Sequence, residues 1–204
     1  KEEFVGYMVK CLKLTKDDVV IIDRTTGIGQ AIMQNAAPAG TGLTAVILGM
    51  EIDVLHKICD ASGCDVANDN SPGQVVISGT REAVESAMAI AKEQGAKRAM
   101  PLALSVPVHC RVQAPAADIM RAALDSVEFK KPIVPIILNK TCAPTTDIDE
   151  IKESLIYQMT HGVRWRESVL NMAELGITEM IEVTSSSIFL NLLFLQTAQT
   201  DNME

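Results

Sequence analysis

Aromatic residues are scarce in this chain. One Trp, two Tyr and four Phe are all that 204 residues contain, so the core has to be filled by Ala, Val, Ile, Leu and Met. Cysteine is equally uninformative as a framework. Five residues, at 11, 59, 64, 110 and 142, are an odd number with no Cys-x-x-Cys pair, which reads as reduced thiols in a reducing compartment. No group of His, Cys, Asp and Glu has metal-ligand spacing, so no metal is expected. Positive charge is in deficit: the net charge of −8 argues against a general nucleic-acid binder and against an anionic membrane surface. The longest strongly apolar stretch, Ile188 to Leu195, is far too short to span a bilayer, and no signal peptide is read. The first residue is Lys rather than Met, which fits a piece of a longer protein.

What is present suits a packed α/β protein. Hydrophobic residues make up 48% and charged residues 22%, enough to fill a core and too apolar for disorder. The length allows one large domain, or one domain with a smaller insert. Glu3 to Leu12 is predicted helical. Val19 to Ile22 is a helix start or a strand, since short apolar runs are ambiguous. Gly27-Ile28-Gly29 interrupts the pattern; it lacks the third glycine of a dinucleotide loop, because position 32 is Ile. A helix resumes through Ile32, Met33 and Ala36.

From Leu43 the rhythm becomes a compact alternation. The pattern predicts a strand at 43–48, a helix at 52–61, a strand at 64–67, a turn at 68–73 and a strand at 74–78. A helix capped by Thr80 and ended by Gly95 follows, then a strand at 99–104. The order β-α-β-β-α-β is the ferredoxin-like arrangement, so residues 42–103 are expected to form a small subdomain inserted between 1–41 and 104–204. Beyond it the pattern gives a helix at 114–127, a strand at 133–138 and a helix begun by Asp147 with Ile148, Ile151, Leu155 and Met159 on one stripe. A helix carries Trp165, Val169 and Met172, a strand spans 179–183 and a last apolar helix spans 188–195.

The apolar run Pro101 to Val106 ends in Pro107, which stops a strand and turns the chain. His109 then sits at a strand exit, where an imidazole can take and return a proton near neutral pH. On spacing alone a packed or surface histidine explains it as well. Cys110 reads as a small buried filler. His56 lies on an amphipathic helix and reads as structural; His161 sits at a helix end, where the dipole favours a cation.

Four segments, in order and spacing, resemble the malonyl-CoA:acyl-carrier-protein transacylases. They are Met33-Gln34-Asn35-Ala36-Ala37-Pro38-Ala39-Gly40-Thr41-Gly42, Asn68-Asp69-Asn70-Ser71-Pro72-Gly73-Gln74-Val75-Val76-Ile77-Ser78-Gly79, Ser105-Val106-Pro107-Val108-His109-Cys110 and Val163-Arg164-Trp165-Arg166-Glu167-Ser168-Val169. The resemblance implies an α/β-hydrolase-like large subdomain with a ferredoxin-like insert. It implies ping-pong transfer of a malonyl group from coenzyme A, through a serine ester, to the phosphopantetheine thiol of acyl carrier protein. His109 matches the family's catalytic histidine. Gln158 matches a glutamine whose backbone carbonyl orients that histidine in place of a triad Asp; its side chain reads equally as a helix-surface Gln. Asn70 and Gln74 lie in a segment that lines the cleft between subdomains, although Asn and Ser-Pro-Gly also make plain turns. Arg24 is the nearest candidate for the arginine that pairs with the malonyl carboxylate through a guanidinium fork, in a stretch several residues longer than the family pattern.

Three departures bear on activity. No serine has Gly both two places before and two places after it, so the nucleophile elbow is absent; Glu2-Glu3-Phe4 resembles the residues that follow it. The family's Gly-Gln-Gly-Ser-Gln loop is absent as well, and Thr184-Ser185-Ser186-Ser187 replaces a Gly-Pro-Gly-Lys segment. These 204 residues alone are therefore expected to be inactive. The alternative is a non-catalytic module that binds the carrier protein or coenzyme A. The resemblance implies no cofactor beyond the coenzyme A thioester substrate, no nucleic-acid or membrane partner, a monomer, and a cytoplasmic or organelle-matrix location. Lys97, Arg98, Arg111, Arg164 and Arg166 are candidates to meet coenzyme A phosphates or the acidic carrier, though solvated surface charge explains any one of them.

Overall fold

The structure is a computed structural model that describes residues 21–22, 32, 40, 42–103 and 106–180. It has an α/β fold with two sheets. The larger is built by β2 (Gly42–Leu48), β3 (Asp65–Ser71), β4 (Gln74–Thr80) and β5 (Arg98–Pro101), in the order β3-β4-β2-β5 and antiparallel throughout. Helices α1 (Ile52–Ser62) and α2 (Arg81–Glu93) pack together against it. Alternation decides which residues meet the helices. Ala45 and Ile47 of β2 and Val75 and Ile77 of β4 join Leu55, Ile58, Val84, Ala87 and Ala91 in one buried cluster. Small alanines on α2 let that helix sit close to the strands, which is how a core without aromatic bulk fills.

Local signals set the helix ends. The Thr80 hydroxyl accepts from Ala83 N–H at 3.3 Å, satisfying one orphan donor of α2. Gly63 takes φ 80° after α1, with Gly63 N–H and Cys64 N–H both donating to the Cys59 carbonyl, a left-handed stop that glycine makes at least strain.

The second sheet is short. β1 (Ile21–Ile22) runs parallel to β6 (Ile136–Ile137), and β7 (Pro144–Thr145) pairs antiparallel on its other side. Helices α3 (Ala114–Asp125) and α4 (Ile148–Thr160) bury Ala116, Met120 and Leu124 against Ile151, Leu155 and Met159. Helix α5 (Trp165–Glu174) contributes Trp165, Val169 and Met172 to a third cluster with Ile137 and Val163.

Several expected bounds shift. The turn expected over 68–73 shrinks to Pro72-Gly73, because β3 continues to Ser71. Two register irregularities, between Val66 and Asn68 and between Asp69 and Ser71, let Asn and Asp remain in a strand they otherwise disfavour. Residues 163 and 68 also form a parallel bridge, so the outer edge of β3 is partly paired. β5 ends at Pro101, earlier than expected; Leu102 N–H still reaches the Thr44 carbonyl. The strand expected at 133–138 contracts to two residues, and Ile133 is exposed. Residues 179–180 are not strand. The helices expected at 3–12 and 188–195, and Arg24, lie outside the described residues.

Candidate active site

Of the three histidines, only His109 is buried, at 7% exposed. It does not stand at the mouth of a strand as expected, since β5 ends eight residues earlier. It lies in an irregular segment that leads into a single 3-10 turn, Arg111–Gln113, and then α3. Its φ is 53°, a left-handed conformation that costs a non-glycine residue roughly 1–2 kcal/mol. Surrounding contacts have to hold it there.

They come from both sides. His109 Nδ1 lies 2.7 Å from the Gln158 carbonyl oxygen. A carbonyl can only accept, so Nδ1 carries the proton and the neutral ring keeps its lone pair on Nε2. Gln158 supplies a carbonyl because it sits in the last turn of α4, where carbonyls have no intrahelical partner. Its side chain is buried at 2% exposed, so the helix-surface alternative does not hold. From the other side, Val108 N–H donates to Ser78 Oγ at 3.0 Å and Arg111 N–H to Asp65 Oδ2 at 2.8 Å. The Gln113 side-chain amide donates to the Pro107 carbonyl. Burial pushes the Cys110 thiol above its ordinary range, which keeps it a neutral filler rather than a nucleophile.

The end of α4 is itself fastened to β3. Val163 N–H donates to the Ala67 carbonyl and Asp69 N–H to the Val163 carbonyl, at 2.8 and 2.9 Å. Asn139 spans the same stretch, donating to the Gly162 carbonyl and accepting from Arg164 N–H. Gly162 lies so close to the Val66 carbonyl that a Cβ there has no room. Arg166 forks onto Asp69, with Nε 2.9 Å and Nη2 2.8 Å from Oδ2.

Asn70 and Gln74 stand near the tip of the β3–β4 hairpin, both half-buried. Ser78, which meets the segment carrying His109, is four positions further along β4, about 13 Å of extended chain. His56 is exposed on α1. His161 stacks on Tyr157 with ring centroids 3.7 Å apart. A cleft of about 440 Å³ opens beside Asp53, His56, Asp65, Asp69, His161 and Arg166, and none of His109, Gln158, Asn70 and Gln74 lines it. Of the five basic candidates, Arg111, Arg164 and Arg166 are committed to Asp65, Glu167 and Asp69. Lys97 and Arg98 are exposed and have no acidic partner among the described residues. No group of three or more His, Cys, Asp and Glu among those residues could hold a metal ion.

No protein-family model matches the chain. Individual relatives do. The malonyl CoA-acyl carrier protein transacylase of Escherichia coli strain K12 is 42% identical over 164 residues, covering 78% of this chain and 53% of its own length. An acyl carrier protein S-malonyltransferase from Vibrio cholerae superposes with a TM-score of 0.78 at 41% identity, covering 81% of this chain and 55% of that one. The chain matches part of the malonyl CoA-acyl carrier protein transacylases. It spans about half the length of the curated relatives it matches. A further transacylase structure, of a malonyl-transacylase in complex with its type II PKS acyl-carrier protein, has a TM-score of 0.78 at 37% identity, covering 81% of this chain and 55% of that one.

The resemblance had singled out both His109, already a candidate by its place after Pro107, and Gln158. Ser78 lies within a resembling segment but drew no role there, and Asp65 drew none either. The trace they leave is faint: a small polar residue after the aliphatic run Val75-Val76-Ile77, and an acid where a strand begins.

Proposed function

We propose that the protein containing this chain transfers malonyl groups from coenzyme A to the phosphopantetheine thiol of acyl carrier protein. The observation that carries the proposal is the short contact between His109 Nδ1 and the Gln158 carbonyl. It fixes the tautomer in which Nε2 is a base, and it comes with transacylase relatives at about 40% identity. His109 takes the proton of a serine hydroxyl supplied from outside these 204 residues. The alkoxide attacks the malonyl thioester carbonyl, and the coenzyme A thiolate leaves with the proton held by His109. The carrier thiol then gives its proton to His109 and attacks the serine ester; the serine oxygen leaves, recovers that proton from His109, and the malonyl group stays on the carrier thiol. Gln158 is a positioning residue whose carbonyl steadies the imidazolium.

In the same proposal Arg24 pairs with the malonyl carboxylate, and Asn70 and Gln74 line the substrate cleft. Lys97 and Arg98, exposed and without acidic partners among the described residues, suit the acidic carrier. The strand order β3-β4-β2-β5 with two helices supports reading 42–103 as a ferredoxin-like insert in an α/β-hydrolase-like body. The reaction uses no metal or cofactor besides its thioester substrate. The protein works as a monomer in the cytoplasm or an organelle matrix; no helix of the described residues is long and apolar enough to cross a membrane.

A second reading, a binding module derived from the same fold, rests on the exposed Lys97 and Arg98 alone. Incubation of the full-length protein with malonyl-CoA separates the two. A covalent malonyl adduct, about 86 Da in the intact mass, is expected for the enzyme. An unmodified full-length protein that still binds carrier overturns it in favour of the module.

A further inference from the structure

Three polar residues line up across the larger sheet. Thr44 of β2 faces Ser78 of β4, and Ser78 faces Asp65 of β3, each as a direct register partner. Directly paired residues project from the same face of a sheet. This face is the one opposite α1 and α2, because the helix-facing residues are the alternate set Ala45, Ile47, Val75 and Ile77. The next pair of β2 and β4 on this face, Val46 and Val76, is apolar, and Thr44 and Ser78 are almost wholly buried. Buried polar groups are unfavourable unless they are satisfied.

All three are partnered, and the segment around His109 takes most of what they offer. Ser78, 0% exposed, sits 3.1 Å from Thr44 Oγ1 and accepts from Val108 N–H at 3.0 Å. Asp65 accepts from Arg111 N–H at 2.8 Å and from the Arg111 guanidinium at Nε and Nη2. The two bonds thus fall one residue before and two residues after the left-handed backbone of His109. We infer that the Thr44–Ser78–Asp65 rung is a bracket that imposes the backbone conformation of His109 and so aims its ring at the Gln158 carbonyl. Ser78 and Asp65 are then positioning residues for proton transfer, acting from the sheet, while Gln158 acts from α4. Two opposed anchors are needed because neither alone fixes both the φ of residue 109 and the direction of its ring. Hydrogen bonds to backbone on either side of a strained residue do this without touching substrate.

The inference rests on the proposed transacylase activity, and the test separates the two. Ser78→Ala, Asp65→Ala and Asp65→Asn are made in the full-length protein. Steady-state malonyl transfer is measured together with the proton resonance of His109 Nδ1–H. Asp65→Ala and Ser78→Ala are expected to lower kcat roughly ten- to a hundredfold, as small misplacements of a reacting group do, with KM for malonyl-CoA within about twofold. Asp65→Asn keeps an oxygen for Arg111 N–H and is expected to recover most of the loss. The Nδ1 proton resonance is expected to move upfield or broaden in both alanine variants and to return in Asp65→Asn. A wild-type protein that transfers no malonyl overturns the activity, and the resonance still reads the bracket. An unchanged kcat, or an unchanged Nδ1 resonance, in Asp65→Ala overturns the bracket; Asp65 is at the sheet edge with its side chain 22% exposed, so this variant is expected to fold.

Discussion

One imidazole carries the chemistry proposed for this chain, and its neighbours are chosen to be chemically quiet. Cys110 is held neutral by burial, and the acceptor at Nδ1 is a carbonyl rather than a carboxylate. Replacing His109 by Ala in the full-length protein should reduce malonyl transfer at least ~10²-fold, as loss of a general base does; turnover near the wild-type rate would remove His109 from the reaction. A second residue-scale expectation concerns Glu167. Its hydrogen bonds from Arg164 hold its carboxyl below the usual glutamate range. A carboxyl depressed in the folded state adds stability above its unfolded value, and the gain disappears as pH falls through the folded one. The pair is about 40% exposed, so the gain is small, under ~1 kcal/mol. Urea unfolding at pH 7 should find Glu167→Gln slightly less stable than wild type. The gap should close as pH falls through and below the ordinary glutamate value of 4.5.

Among the elements, the junction of α4 with β3 is what brings Gln158 to His109. Gly162→Ala has nowhere to put its methyl except against the Val66 carbonyl. It should destabilise by about 1–3 kcal/mol, as overpacking at a close backbone approach does. Thermal unfolding at matched pH would reveal it, and an unchanged midpoint would mean that the contact between 162–163 and β3 is dispensable. At this scale the sequence was a good guide wherever local chemistry decides. Thr80 and Asp147 cap helices as their spacing suggested, and the alternating runs of β2 and β4 became strands. It failed where the deciding contact is remote. Asp69 belongs by local pattern to a turn, yet it is 7% exposed inside β3 because Arg166, 97 residues away, reaches it. A backbone carbonyl such as that of Gln158 has no residue signature at all, and only the resemblance pointed to it. The polar rung under His109 is invisible for the same reason: Thr44, Ser78 and Asp65 become neighbours only when the register of three strands is known.

For the molecule as a whole, the larger sheet sets the order of stability. β2 and β4 are its inner strands, and Ala45, Ile47, Val75 and Ile77 are at most 1% exposed. Their amides should exchange last with solvent deuterium, after those of β5 and of the two-residue β6 and β7. Faster exchange in β4 than in β5 would contradict this topology. Lys97 and Arg98 stand just before and at the start of β5, facing solvent. Reversing both charges to Glu should raise KM for the carrier protein several-fold and weaken its salt dependence, with kcat little changed. Equal effects on carrier and on a small thiol acceptor would place the carrier elsewhere.

The ring of Pro107 fills the space a side chain at Gly42 would occupy. The two feet of everything folded between them are therefore pinned side by side, like the ends of a long loop drawn shut. A second fastening, from Val163 and Arg166 to Ala67 and Asp69, holds β3 from the far side. Changes of length in the turns between these fastenings carry little entropic penalty, because closure entropy grows only slowly with loop length. The clasp of Gly42 and Pro107 itself tolerates no variation in size on its glycine side.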